Sequence, residues 1–236
     1  MKKLQLLFLF LVPVILIAQE NEKPYEFPVK PGTQEWANLT TSKQMDEVCV
    51  IPEKILYSLS TKALMTTCLN YPRLIDIFLA GNMQSGFDFY LNHFNGLNEL
   101  MKRHDLKEVL LQSYNSLNVP DIRLPEFNIK LSALQFDFLE LLIAQNIIIK
   151  QCDSKEKAVL ISEAVKKLKQ RIEIGESYCR QRTSALIISR ILFSENKLES
   201  VYNDSGNDIM NIFNSSVLLV QSSIIDTLLN LSTTVK

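Results

Sequence analysis

Glycine is nearly absent from this chain, with six in 236 positions. Sandwiches and barrels need many tight turns, and glycine is the residue that enters positive φ at no steric cost. A chain so poor in it has to run in long regular segments. Leu, Ile, Lys, Glu, Asn and Ser dominate instead, and the apolar residues recur at i, i+3, i+4 and i+7. That period belongs to the α-helix. The expected class is all-α: an array of short helices followed by a bundle of long antiparallel helices.

Proline marks the divisions. Residues 19–41 read as an extended leader, because Pro24, Pro28 and Pro31 fix φ and Pro31-Gly32 signals a turn. Trp36, the only tryptophan, is expected to pin that leader onto the helical body. From 42 to 117 the helices are short: Ser42 caps one reaching Cys49, Pro52 opens another, and Ser60 caps Thr61–Leu69. Pro72 starts a piece running to Ala80. Phe87, Tyr90, Leu91 and Phe94 then place an aromatic stripe on one helix face, and Gly96 breaks that helix. Leu97–Arg103 and Leu106–Leu117 complete the array, without a fixed repeat period.

Residues 118–127, NVPDIRLPEF, form the expected linker, although the two helical parts can pack as one domain. Residues 128–236 hold the longer helices, expected at Asn128–Gln151, Ser154–Gly175, Thr183–Tyr202 and Asn207–Val235, and their short connections favour antiparallel neighbours. A wheel of Asn128–Gln151 is apolar nearly all round, which predicts burial on most sides. Gln145 falls among Leu134, Phe138, Leu141 and Ile148, so its amide needs an internal partner or water. From Ile209 to Val235 the only charged side chain is Asp226. Either that helix is central or its outer face meets a partner.

The first eighteen residues have the layout of a secretory signal peptide: Lys2 and Lys3, an uncharged apolar run from Leu4 to Ile17, then Ala18 before a switch to polar sequence. The run falls short of the ~20 residues that cross a bilayer core, and Pro13 weakens it as a helix. Export to the periplasm or beyond the cell is therefore expected, with cleavage after Ala18 and no transmembrane segment afterwards. Cleavage removes two lysines and no acid, which leaves 23 basic against 26 acidic side chains and moves the formal charge from −1 to −3. That balance excludes a nucleic-acid footprint, which needs a strongly basic face. Cys49, Cys68, Cys152 and Cys179 permit two bridges in an oxidising compartment, Cys49–Cys68 and Cys152–Cys179 being the local choice, while four buried thiols is the alternative.

Catalytic signatures are missing. His93 and His104 lie in separate predicted helices without short ligand spacing, and no cysteine pair has the C-x2-C spacing of a zinc site. Gly175-Glu176-Ser177-Tyr178-Cys179 resembles a nucleophile elbow only superficially. Asp137 and Glu140, three apart, could serve as an acid–base pair, but such acids are more often a solvated stripe. Lys166, Lys167, Lys169 and Arg171 read as an exposed helix face. Asn38-Leu-Thr40 and Asn230-Leu-Ser232 fit a glycosylation acceptor. No metal or cofactor is expected.

Four stretches between Pro28 and Tyr114 carry a resemblance: PVKPGTQEW (28–36), CVIPEKIL (49–56), LSTKALMTTCLNYP (59–72) and FNGLNELMKRHDLKEVLLQSY (94–114). Over this part the chain resembles a group of uncharacterised exported proteins of Bacteroidetes. The resemblance implies an envelope or secreted location and a helical fold, and it carries no activity and no functional residues. The expected function is that of a non-enzymatic interaction module or scaffold whose partner is another protein. The alternative is a small-molecule or peptide binder with an apolar groove lined by Phe87, Tyr90 and Phe94, and a hydrolase ranks third.

Overall fold

The computed structural model describes residues 22–80, 82–124, 127–176, 178–197 and 222–235. Among the described residues there are thirteen helices and no strand, so the protein is all-α. The chain forms two compact units that interleave along the sequence. Of the described residues, the first holds those up to Pro72 together with Tyr90–Leu106, and the second holds Arg73–Phe89 together with those from Lys107 onward. Residues 118–124 thus fall inside the second unit rather than between the two.

In the first unit lie α1 (Gln34–Ala37), α2 (Ser42–Val48), α3 (Glu53–Leu56), α4 (Thr61–Leu69) and α7 (Asn95–Leu100). Capping residues set their starts. Thr41, one residue ahead of the expected Ser42, forms a reciprocal capping box with Gln44, and Ser60 Oγ accepts from the N–H of Ala63. Gly96 does not end a helix but lies within α7, and the break falls at Phe94 (φ −109°, ψ 112°). A Cβ on Gly96 would stand 2.4 Å from the Phe94 ring and 2.8 Å from Ile51 Cδ1. The glycine is there so that ring and helix can touch.

The core of this unit gathers Ile51, Leu64, Cys68, Tyr71, Tyr90, Phe94 and Leu97. Phe94 stacks on Tyr71 at 4.2 Å between centroids, and Phe27 packs beside both rings. Phe27, not Trp36, anchors the leader: it is buried, Tyr25 donates its N–H to Thr67 Oγ1 at 2.9 Å, and Trp36 stays half-buried on α1.

The second unit contains α5 (Leu74–Leu79), most of α8 (Leu106–Ser116), α9 (Phe127–Ile143), α10 (Asn146–Gln151), α11 (Ser154–Glu173), α12 (Tyr178–Ser194) and α13 (Ser222–Ser232). The helix Met83–His93, α6, contributes residues 83–89 here and 90–93 to the first unit. At the centre is α12, which packs on α9, α10, α11 and α13, and every residue from 181 to 192 is buried. The described part of the last helix, α13, buries Ile225 and Leu228 against α11 and α12 and turns Asp226 and Asn230 outward. Residues 207–221 of the expected last helix lie outside the described residues, as do residues 198–202 of the expected Thr183–Tyr202 helix.

Helix α11 runs antiparallel to α12. Lys157 near the start of α11 pairs with Glu195 just past the end of α12, and Arg171 at the other end meets residues that Thr183 and Ser184 also meet. Two left-handed residues close these helices. Gly175 (φ 71°) donates to Ile172 O, and Glu176 donates to Arg171 O. Asn196 (φ 55°) and Lys197 repeat the pattern on Phe193 and Leu192. Both are Schellman closures, which satisfy carbonyls that the helix leaves open.

The expected helix Asn128–Gln151 is two helices. Gln145 is extended (φ −62°, ψ 134°) and begins α10 as its N-cap. No proline or glycine forces this break; side chains sustain it. Gln145 Nε2 donates to Leu141 O at 2.8 Å, the Arg190 guanidinium donates to Ala144 O, and Gln84 Nε2 donates to Gln145 Oε1 at 3.0 Å. Two carbonyls freed at the break, those of Leu141 and Ala144, thus find side-chain donors. Replacing Gln145 with Leu strands Leu141 O in the interior and takes an acceptor from Gln84, and should cost ~1–3 kcal/mol at an unchanged m-value, measured by urea unfolding.

Candidate functional site

Among the described residues, the cluster that gathers the most polar groups in the interior lies in the second unit. The stretch 136–143 of α9 is buried throughout, so Asp137 and Glu140 go inside with it. They are 5% and 0% exposed, which overturns the expectation of a solvated acidic stripe. On α11 the residues Leu160, Ile161, Ala164, Leu168 and Arg171 share the buried face, so Arg171 projects inward at 1% exposure rather than standing on an exposed basic face. The Gly175 closure then folds the chain back and returns Glu176 to the same place.

Arg171 meets three carboxylates. Nη2 donates to Asp137 Oδ1 and Glu140 Oε2, both at 2.8 Å, and Nη1 donates to Glu176 Oε2 at 2.6 Å. Glu140 is fully occupied. Its Oε1 accepts from Tyr114 Oη at 2.8 Å and Ser184 Oγ at 2.6 Å, and its Oε2 accepts from Thr183 Oγ1 at 2.6 Å besides Arg171. Lys167, also buried, pairs with Glu163 at 3.1 Å and sits 4.5 Å over the Tyr114 ring, while the Arg171 guanidinium lies 5.1 Å from the Phe136 ring. Burial opposes charge on Arg171, but Glu140, Asp137 and Glu176 outweigh it and hold the guanidinium above its ordinary pKa. Burial first, and then the Glu140 charge, push the Tyr114 phenol well above its ordinary value, so it stays a donor.

Four donors fill the ~4 lone-pair sites of the Glu140 carboxylate, which leaves none to take a proton from a substrate. What the arrangement does chemically is lock four segments: α8 through Tyr114, α9 through Glu140, α11 through Arg171 and α12 through Thr183 and Ser184. A second, smaller network joins Gln84, Gln145 and Arg190, where burial lowers the Arg190 pKa to about 10.

Other expected residues go elsewhere. Phe87, Tyr90 and Phe94 are 1%, 3% and 4% exposed and form core, not the lining of a groove. They do not even act together: Phe87 packs near Phe138 in the second unit, and Tyr90 and Phe94 stay in the first. Cys49, Cys68 and Cys152 are buried as thiols, so neither expected bridge is formed. Cys68 fills the core inside α4, and burial raises its pKa. Cys152 donates to Ile148 O at 3.5 Å, and burial raises its pKa to about 11. The side chain of Cys179 lies outside the described residues. Gln145 belongs to the helix break already described. Among the described residues no group of three His, Cys, Asp or Glu is placed to hold a metal ion. No helix among them is long and apolar enough to cross a membrane.

Nothing in the spacing of Arg171, Tyr114, Thr183, Ser184 and Glu176 brings them together as a site in the sequence. One signal was available: Arg171 stands seven residues after Ala164, on the apolar face of its own helix. No family model matches this chain, and comparison with curated proteins and with solved structures gives no significant match.

Removing Arg171 while its three carboxylates remain buried should destabilise the protein by ~3–5 kcal/mol, read from denaturant midpoints of Arg171→Met. Glu140→Gln added to Arg171→Met should recover part of that loss, because one of the stranded charges is gone. A separate pair governs behaviour in acid. The hydrogen bond from Lys107 Nζ to Glu156 at 2.7 Å, helped by the N–H of Asp153, holds the Glu156 carboxyl below its ordinary 4.5. Its stabilising effect is therefore present above about pH 4.5 and lost as pH falls below it. Glu156→Gln keeps the cap and should flatten the acid limb of stability against pH.

Proposed function

We propose that this chain is exported and works as a non-enzymatic helical module that binds another protein. The observation that carries the reading is on α5. Five of its six residues are apolar, Leu74 and Ile77 are buried, and Ile75 and Leu79, one turn apart, are 46% and 73% exposed. A helix that packs one apolar face inward and presents a second one outward has a face suited to docking. The locked interior of the second unit supports the same reading, since a rigid scaffold presents such a face without an ordering cost on binding. The signal-peptide layout and the resemblance to exported Bacteroidetes proteins supply the compartment. The alternative, a small-molecule groove, has lost the lining expected for it.

The test is capture of a partner from native envelope and culture medium by the full exported chain, alongside Ile75→Glu/Leu79→Glu. The double variant should lose the partner while its circular dichroism and unfolding midpoint stay at wild-type values. Capture unaffected by the substitutions would remove α5 from the reading. Specific stabilisation by a small metabolite with no captured protein would favour the binder. Intact mass of the native protein should place its N-terminus near Gln19.

A further inference from the structure

The first unit contains a chemical liability that its packing creates. Asn95-Gly96 is the only Asn-Gly dipeptide in the chain. In such a pair the glycine nitrogen meets no side-chain obstruction as it approaches the asparagine side-chain carbonyl. Attack by the Gly96 nitrogen on Asn95 Cγ forms a C–N bond, expels the side-chain nitrogen as ammonia and leaves a cyclic imide. Water then opens the ring to aspartate or isoaspartate. No oxidant and no enzyme are needed. The glycine cannot be exchanged for a safer residue, because a Cβ there would stand 2.4 Å from the Phe94 ring and 2.8 Å from Ile51 Cδ1.

The fold opposes the reaction in two ways. Asn95 is the first residue of α7, and helical ψ holds the following nitrogen away from Cγ. Its amide is also clamped on both sides: Oδ1 accepts from the Ile51 N–H at 3.1 Å, and Nδ2 donates to Ile51 O at 2.7 Å. Ile51 is fully buried, so this amide is what satisfies its backbone from across 44 residues. Conversion to aspartate would keep the first bond and replace the second with a carboxylate oxygen facing a carbonyl oxygen. Isoaspartate would in addition insert a methylene into the main chain at the first residue of α7.

We propose that Asn95 is a site of spontaneous amide-to-carboxyl conversion that the folded first unit holds off and that, once converted, releases the Val50–Pro52 segment from α7. Conversion follows opening of the unit and prevents its full closure afterwards, which makes it a one-way record of unfolding.

The test incubates the full exported chain at 37 °C and mildly alkaline pH, in buffer and in denaturing urea, with peptide mass mapping of residue 95 over time. The folded protein should convert at least about tenfold more slowly than the unfolded chain, since the reaction must wait for local opening. Phe27→Ala, which loosens the ring cluster beside Phe94 without touching the dipeptide, should speed conversion in buffer. Asn95→Asp should lower the unfolding midpoint, or fail to fold, whereas Asn38→Asp, an exposed control, should not. Equal rates in buffer and urea, or an Asn95→Asp midpoint equal to wild type, would overturn the proposal. Should the variants not fold, the buffer–urea comparison on the wild-type chain decides it alone.

Discussion

Burying a guanidinium without partners is prohibitively costly, and burying three carboxylates without a cation is no better. The second unit depends on making both charges internal at once. Arg171 binds Asp137, Glu140 and Glu176, and Glu140 is bound in turn by Tyr114, Thr183 and Ser184. Such a cluster adds little net stability over a well-packed apolar core. Its contribution is selectivity. A shift of one turn in α9 or α11 would part Arg171 from its carboxylates, and one in α8 or α12 would strip Glu140 of hydroxyl donors, so the network favours a single register where interchangeable Leu and Ile would admit several.

The same principle governs the helix ends. Carbonyls at a helix terminus must find donors, and a chain with six glycines has few left-handed closures to draw on. Gly175 supplies one and Asn196 another. At Gln145 neither glycine nor proline is present, and the side chains of Gln145 and Arg190 take over. The Gly175 closure also serves the charge network, since turning the chain there is what brings Glu176 back onto Arg171, five residues earlier. Local backbone geometry and long-range electrostatics are solved by one residue.

This explains which features were legible beforehand. Periodic apolar spacing and scarce glycine report helix directly, and Ser60 and the start of α11 at Ser154 fall where capping chemistry places them. Helix α12 begins at Tyr178, five residues ahead of the expected Thr183, because Gln181, Arg182, Thr183 and Ser184, polar residues that give no apolar period, continue the helix inside the protein together with Ser189 and Arg190. Asp137, Glu140 and Arg171 read as exposed because polarity alone points to solvent, although a charge can be buried when its counter-charges come from other segments. The aromatic stripe failed in the opposite sense, because periodicity alone cannot separate a face that waits for a ligand from one already packed. The anchoring of the leader by Phe27 rather than Trp36 depends on contacts with Tyr71 and Phe94, which are far away in sequence.

The resulting distribution of polarity bears on the proposed role. The second unit places charged groups inside that a surface would solvate without cost, and it leaves Ile75 and Leu79 outside where an interior would bury them at a gain. Scattered exposed apolar residues are ordinary, but two on successive turns of a helix whose other face is already in the core form a continuous ridge. Stability alone gives no reason for that exchange. A docked helix or sheet from another protein does, because it would remove the ridge from water while the interior network keeps α9, against which α5 packs, in fixed position. On the proposed reading, the interior charges hold the scaffold in one register so that the ridge is presented in one geometry.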